Sequence, residues 1–175
     1  MKRSEILANR NLVIEGLRTK GLRKAQGHLA DASNARCCLG HMTHFLGIEG
    51  VTLNLPMPIK NDSGYKILVF GAKKEEYQMP EEARIKLGMH SGDGMFNHLY
   101  PNGDYRGDDG IMADKFIKAM KKVFNPRNAD TENLCSLAEW NDHTNIRPHH
   151  IADYLESVIE GGDDTPWKAL TDYPE

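Results

Sequence analysis

Cysteine is scarce in this chain: Cys37, Cys38 and Cys135 make an odd count with no paired spacing. That excludes a secreted disulfide framework and favours a reducing compartment. Long apolar runs are missing as well. The longest, such as "KILVFGA", is far too short to cross a bilayer, so no membrane partner is expected. No signal-peptide pattern opens the chain, and its charged, helical start "MKRSEILANR" argues against secretion. There is no Walker-type loop, dinucleotide fingerprint, HExxH or GxSxG motif, so no cofactor is expected. The aspartates Asp93, Asp104, Asp108 and Asp109 do not follow the calcium-loop spacing.

What remains is ordinary globular material. With 175 residues, 39% of them apolar and 27% charged, the chain fits one domain with a sizeable core, here placed at residues 1–162. Net charge is only -3, but seven basic side chains fall in residues 1–24 and seven acidic ones in the last 25. Such asymmetry marks either a binding arm or mutual neutralisation. Residues 163–175 are expected to form an acidic, loosely held tail.

Helical spacing of Ile6, Leu7, Val13, Ile14 and Leu17 predicts a first helix with Ser4 as its cap. "GLRKAQGHL" reads as extended chain or loop, and a helix from about Ala35 runs to Gly47. Two β-prone segments flank Asn61-Asp62-Ser63-Gly64, which predicts a hairpin, with Pro56 and Pro58 confining the first strand to an edge. "MPEEARIKLG" reads as a short helix ended by Gly88. Residues 88–110 form a long glycine-rich loop, and helices follow at about 111–124, 131–140 and 148–160. The expected fold is α+β: a mostly helical single domain with a small antiparallel β-hairpin or sheet.

Three constellations carry chemistry. In "NARCCLGHMTHFLG", Ala35, Cys38, Leu39, Met42, Phe45 and Leu46 share one helical face, which makes Cys38 a core residue. Cys37, His41 and His44 fall on another. Cys37, His41 and His44 could start a zinc site completed by His143 or Cys135, but Cys37 and His44 lie about 10 Å apart along a helix axis, which leaves Cys37 and His41 as the candidate metal ligands. Cys37 with His41 could instead form a nucleophile pair, while structural use accounts for the same residues more simply. In "LAEWNDHTNIRPHHIADYLESVI", Asp142 is a candidate general base or ligand carboxylate beside Asn141, with His143, His149 and His150 nearby. The plainer reading has Asn141 and Asp142 satisfying backbone groups in a turn. Finally, Lys115, Lys118, Lys121 and Lys122 cover one side of helix 111–124. They could meet a phosphate backbone, although no aromatic platform accompanies them and a solvated face explains them equally.

In order along the chain, "EGLRTKGLRKAQGHL", "RCCLGHMTHFLG", "YQMPEEARIKLGM" and "LAEWNDHTNIRPHHIADYLES" resemble a group of small bacteriophage- and prophage-encoded proteins. That group has a CCLG helix, a proline-started helix ending in LG, and an ND turn before an IAD helix, and it carries no assigned activity. The resemblance implies a phage accessory protein in the bacterial cytoplasm. It also implies that 101–128, with the lysine-faced helix, is an expansion of this member. Cys37, Cys38, Leu39, Gly40, Asn141 and Asp142 match the shared motif, and His41 departs from it. Cys37, Gly40, Asn141 and Asp142 therefore become the candidate ligand-binding residues, with Gly40 expected to let the ND turn dock closely.

Three function classes follow. The first is a non-catalytic binder of a host protein or a small nucleotide-type signal, as in counter-defence. The second is a small enzyme using Cys37, Asp142 and a histidine such as His143. The third is a nucleic-acid accessory factor acting through Lys115, Lys118 and Lys122. Whether the chain self-associates as a homo-oligomer is left open.

Overall fold

The computed structural model describes residues 1–31, 33–55, 65–95, 136–142, 146–162 and 165–175. It has the expected α+β architecture, with five α-helices around one core and a three-stranded antiparallel sheet among the described residues. Helix α1 (Arg3–Leu17) is the spine and packs against α2 (Cys38–Phe45), α3 (Glu81–Leu87) and α5 (Pro148–Ser157). Its buried stripe is Ile6, Arg10, Val13, Ile14 and Leu17, the spacing that one helix face requires. The start differs from expectation. Ser4 lies inside the first turn, and Glu5 closes it by accepting the Lys2 N–H at 2.7 Å. Gly16 lets α2 cross closely, because a Cβ there would overlap the Phe45 ring.

The hairpin is present as β2 (Gly50–Leu55) and β3 (Tyr65–Phe70), in register from Gly50 opposite Phe70 to Leu55 opposite Tyr65. Strand β2 lies at the sheet edge, as its two following prolines suggested, while the turn at 61–64 lies outside the described residues. A third strand, β1 (Ala30–Asp31), pairs with the other side of β3. A strand of two residues has no periodicity to read and so leaves no sequence signal. Ile67 and Val69 of β3 turn into the core.

Helix α3 begins after Pro80 with Glu81 and Glu82 in its first turn and stops at Gly88, which adopts the left-handed conformation at φ 62°. Helix α4 (Leu137–Asp142) contains Asn141 and Asp142 as its last two residues, not in a connection after it. Trp140 of α4 meets Tyr154 of α5 edge-on at 5.2 Å between ring centroids.

The tail requires correction. Residues 165–175 are not loosely held: Trp167 and Leu170 are buried, and the Arg3 N–H donates to the Pro174 carbonyl at 2.7 Å. Two apolar side chains outweigh the acidic composition of this stretch. Part of the expected 88–110 loop is also built into the fold. Met79 N–H donates to Gly92 and Leu137 N–H donates to Gly94. The remainder of that loop, the 111–124 helix with Lys115, Lys118, Lys121 and Lys122, the 101–128 expansion, Cys135 and His143 lie outside the described residues. Among the described residues no helix is long and apolar enough to cross a membrane.

Candidate functional site

The motif residues converge at the start of α2, though not as their sequence spacing suggested. The helix begins at Cys38, three residues later than expected, because Cys37 is extended (φ -69°, ψ 173°) and serves as its N-cap. This shift overturns the placing of Cys37 on a flank beside His41. Cys37 is buried, with its N–H bonded to the Leu29 carbonyl at 2.9 Å. Its Sγ accepts the Gly40 N–H at 3.4 Å, so a thiol does the work usually given to serine or aspartate.

The next open donor of the helix, Cys38 N–H, is taken from 103 residues away. It donates to Asn141 Oδ1 at 2.9 Å. The Asn141 amide nitrogen in turn donates to the Ala25 carbonyl at 2.9 Å and to Asp142 Oδ1 at 3.2 Å. Asn141 is 1% exposed, and its amide thus joins three segments: the extended stretch around Ala25, the start of α2 and the end of α4. Only a side chain with an acceptor and a donor on one short arm fits this position. Cys38 is fully buried and its Sγ–H donates to the Leu137 carbonyl at 3.4 Å, which ties α2 to α4 a second time.

Asp142 lies at the rim and is exposed. Its carboxylate accepts the Gly27 N–H at 3.3 Å, and its carbonyl accepts the Gln26 amide. Lys24 reaches the same rim, donating to the Ile146 carbonyl at 3.1 Å. Burial lowers the Lys24 pKa against the opposing pull of Asp142.

Gly40 behaves differently from expectation. Its close neighbour is not the ND turn but the Leu29 carbonyl, which any Cβ would overlap. The absence of a side chain therefore admits the strand entering β1, while the contact with Asn141 is made by Cys38. His41 is also corrected. Expected on an outer flank, it is 2% exposed, with Nε2 at 3.0 Å from the Arg23 carbonyl and its ring stacked on Phe45 at 6.1 Å. A carbonyl partner fixes Nε2 as the protonated nitrogen. The other, Nδ1, is buried without a hydrogen-bond partner. Burial, with Arg36 and His44 adding repulsion, pulls the His41 pKa down to about 4.

These environments decide the chemistry. Burial pushes the Cys37 thiol up to about 11, despite N–H groups that favour the thiolate, and pushes Cys38 well above the ordinary thiol value. A buried thiol raised in this way stays protonated at neutral pH, the opposite of the lowered pKa that activates a cysteine nucleophile. Neither ring nitrogen of His41 is bonded to Cys37 among the described residues: Nε2 is spent on the Arg23 carbonyl and Nδ1 has no partner. Among the described residues no group of three His, Cys, Asp or Glu side chains comes together to hold a metal ion. His149 and His150 contact each other at 4.1 Å between ring centroids at the start of α5.

A second centre escaped the sequence reading. Arg10, fully buried, donates to four backbone carbonyls: Leu87 at 3.0 Å, Ile159 at 2.6 Å, Gly88 at 3.4 Å and Lys168 at 2.8 Å. Its guanidinium carbon lies 5.0 Å from the Trp167 ring centroid. Burial lowers its pKa to about 10, with Tyr173 and Glu160 opposing. The signal was present in the sequence as an arginine at i+4 from Ile6 and i-3 from Val13, inside the apolar stripe.

No family model, curated protein or solved structure matches this chain.

Proposed function

We propose that this chain is a phage-type accessory protein of the bacterial cytoplasm that works as a non-catalytic binder, inhibiting a host protein or sequestering a small nucleotide-type signal. The observation that carries this reading is how the motif residues are used. Cys37, Cys38 and Asn141 are spent on hydrogen bonds that fasten α2 to its neighbours, which leaves no activated nucleophile among them. A motif that fixes a fold supports a scaffold whose function lies in its surfaces. Leu12, half exposed, opens onto a groove of about 540 Å³ beside Phe45 and Leu46, the kind of apolar surface a protein partner covers.

Native mass spectrometry of protein purified from expressing cells tests the reading. A bound small molecule or a co-purifying host protein, retained in Cys37→Ser, agrees with it. Turnover of nucleotide or protein substrates that Asp142→Asn abolishes contradicts it and favours the enzyme class.

A further inference from the structure

Beside the buried Arg10 lies a cleft of about 300 Å³, walled by Arg84 and Ile85 of α3, by Gly88, Met89 and His90 after it, and by Lys168, Tyr173 and Met1. From this cleft we infer a specific ligand class: it receives the phosphoryl groups of a small nucleotide-type ligand, with Arg84 and Lys168 as the phosphate-binding cations. The inference rests on the binder reading above and assigns it a location.

Charge is the first argument. No acidic side chain lines the cleft, and neither Arg84 nor Lys168 is paired with a carboxylate among the described residues. On the same helix Lys86 is paired with Glu82 at 2.9 Å and Glu81 faces Lys73 at 3.7 Å, so the acids of α3 are engaged elsewhere. Glu160 and Asp172, whose charges act on Arg10 and Tyr173, lie outside the lining. An anion entering here therefore meets cations that need not first release a partner.

The floor is the second argument. The end of α3 would ordinarily present carbonyl oxygens, which repel phosphate. Here the Leu87 and Gly88 carbonyls are both occupied by Arg10, and the Lys168 carbonyl by the same guanidinium. A buried positive charge thus replaces a negative helix end beneath the cleft. The Tyr173 hydroxyl sits beside Gly88, where it adds a polar contact. The walls are held by backbone bonds, Lys168 N–H to Gly88 at 2.7 Å and His90 N–H to Pro166 at 3.1 Å, so the cations stand on a fixed frame. The volume lies at the lower end of the range for small-molecule sites.

The test is calorimetric titration of the whole protein with inorganic pyrophosphate and with ADP at low salt, repeated on Arg84→Gln, Lys168→Gln and the control Lys73→Gln. Each cation lost from the cleft is expected to weaken binding at least about tenfold, the loss of one charge-assisted bond, while the control stays within about twofold. ADP binding more tightly than pyrophosphate places the nucleoside in the cleft; equal binding means that phosphoryl groups alone are read. Melting curves of the free variants should match the wild type, because neither side chain makes a hydrogen bond or ion pair among the described residues. Absence of binding at millimolar pyrophosphate and ADP, or an equal loss in Lys73→Gln, overturns the inference. A native-mass adduct that survives in the Arg84→Gln, Lys168→Gln double variant also overturns it, yet leaves the binder reading standing.

Discussion

Replacing Asn141 with alanine removes one amide and strands two buried backbone groups at once. Cys38 N–H and the Ala25 carbonyl each lose their 2.9 Å partner, and both residues are at most 6% exposed, so water cannot substitute without opening the core. At about 1–3 kcal/mol for each stranded group, the expected loss is about 3 kcal/mol, or a melting midpoint lower by about 6–12 °C for a chain of this size. Asn141→Asp makes the test sharper. It keeps the acceptor for Cys38 N–H but loses the donor to Ala25 and sets a buried carboxylate beside Asp142. Burial raises the pKa of such a group, so the folded state binds the extra proton and this variant should gain stability as pH falls. Asp142→Ala, which removes an exposed carboxylate, should cost less than about 1 kcal/mol. Thermal and urea unfolding read all three. A loss in Asn141→Ala below about 0.5 kcal/mol, or a larger loss in Asp142→Ala, would refute the idea that Asn141 is the tertiary cap of α2.

Four further outcomes follow from the same structure. Arg10→Met takes the guanidinium donors from four carbonyls, of which Gly88 keeps the Lys168 N–H, and should cost more than about 3 kcal/mol, with Arg10→Lys intermediate because one ammonium cannot reach all four; equal melting of Arg10→Lys and wild type would contradict this. His41 has a folded pKa of about 4 against 6.5, so the unfolded chain binds more protons between those values. Its contribution, about 3 kcal/mol at most, is complete above pH 6.5 and lost as pH falls toward 4; a stability–pH profile should flatten in His41→Gln. Gly40→Ala should prevent normal folding by collision with the Leu29 carbonyl, whereas Gly47→Ala, with φ 73° and open space, should cost only about 1 kcal/mol. In a Cys135→Ser background, Cys37 and Cys38 should resist a thiol reagent until the protein unfolds, and rapid labelling of the native state would count against their burial.

How much of this was legible beforehand depends on the kind of signal. The α1 stripe, the hairpin and the stop at Gly88 were readable because each is encoded locally, by a 3.6 period, by β-prone runs around a turn, or by one left-handed residue. The pairing of "CCLG" with "ND" was visible as a juxtaposition of motifs, but its geometry was not. Continuing the helix back to Ala35 put Cys37 on an outer flank with His41. The true start at Cys38 buries Cys37 and leaves Asn141 holding Cys38 instead. No periodicity reveals a cap supplied from 103 residues away. The same limit hid the Gly40–Leu29 contact and strand β1. The packed end of the chain is illegible for another reason: Trp167 and Leu170 lie in an acidic stretch with no periodicity to mark them, and only the fold shows their burial. Arg10 shows the reverse case, a charge inside an apolar stripe that was readable and whose four carbonyl partners only the folded chain could supply.

The most direct measurement of the central claim is amide hydrogen exchange at Cys38 in the native protein and in Asn141→Ala. If the motif is a lock, the Cys38 amide exchanges in the wild type only through global unfolding, and in the variant it speeds up far more than amides within α1. A Cys38 amide that exchanges quickly in the wild type, or that is slowed no more by Asn141 than by alanine, would show that Asn141 does not hold the start of α2.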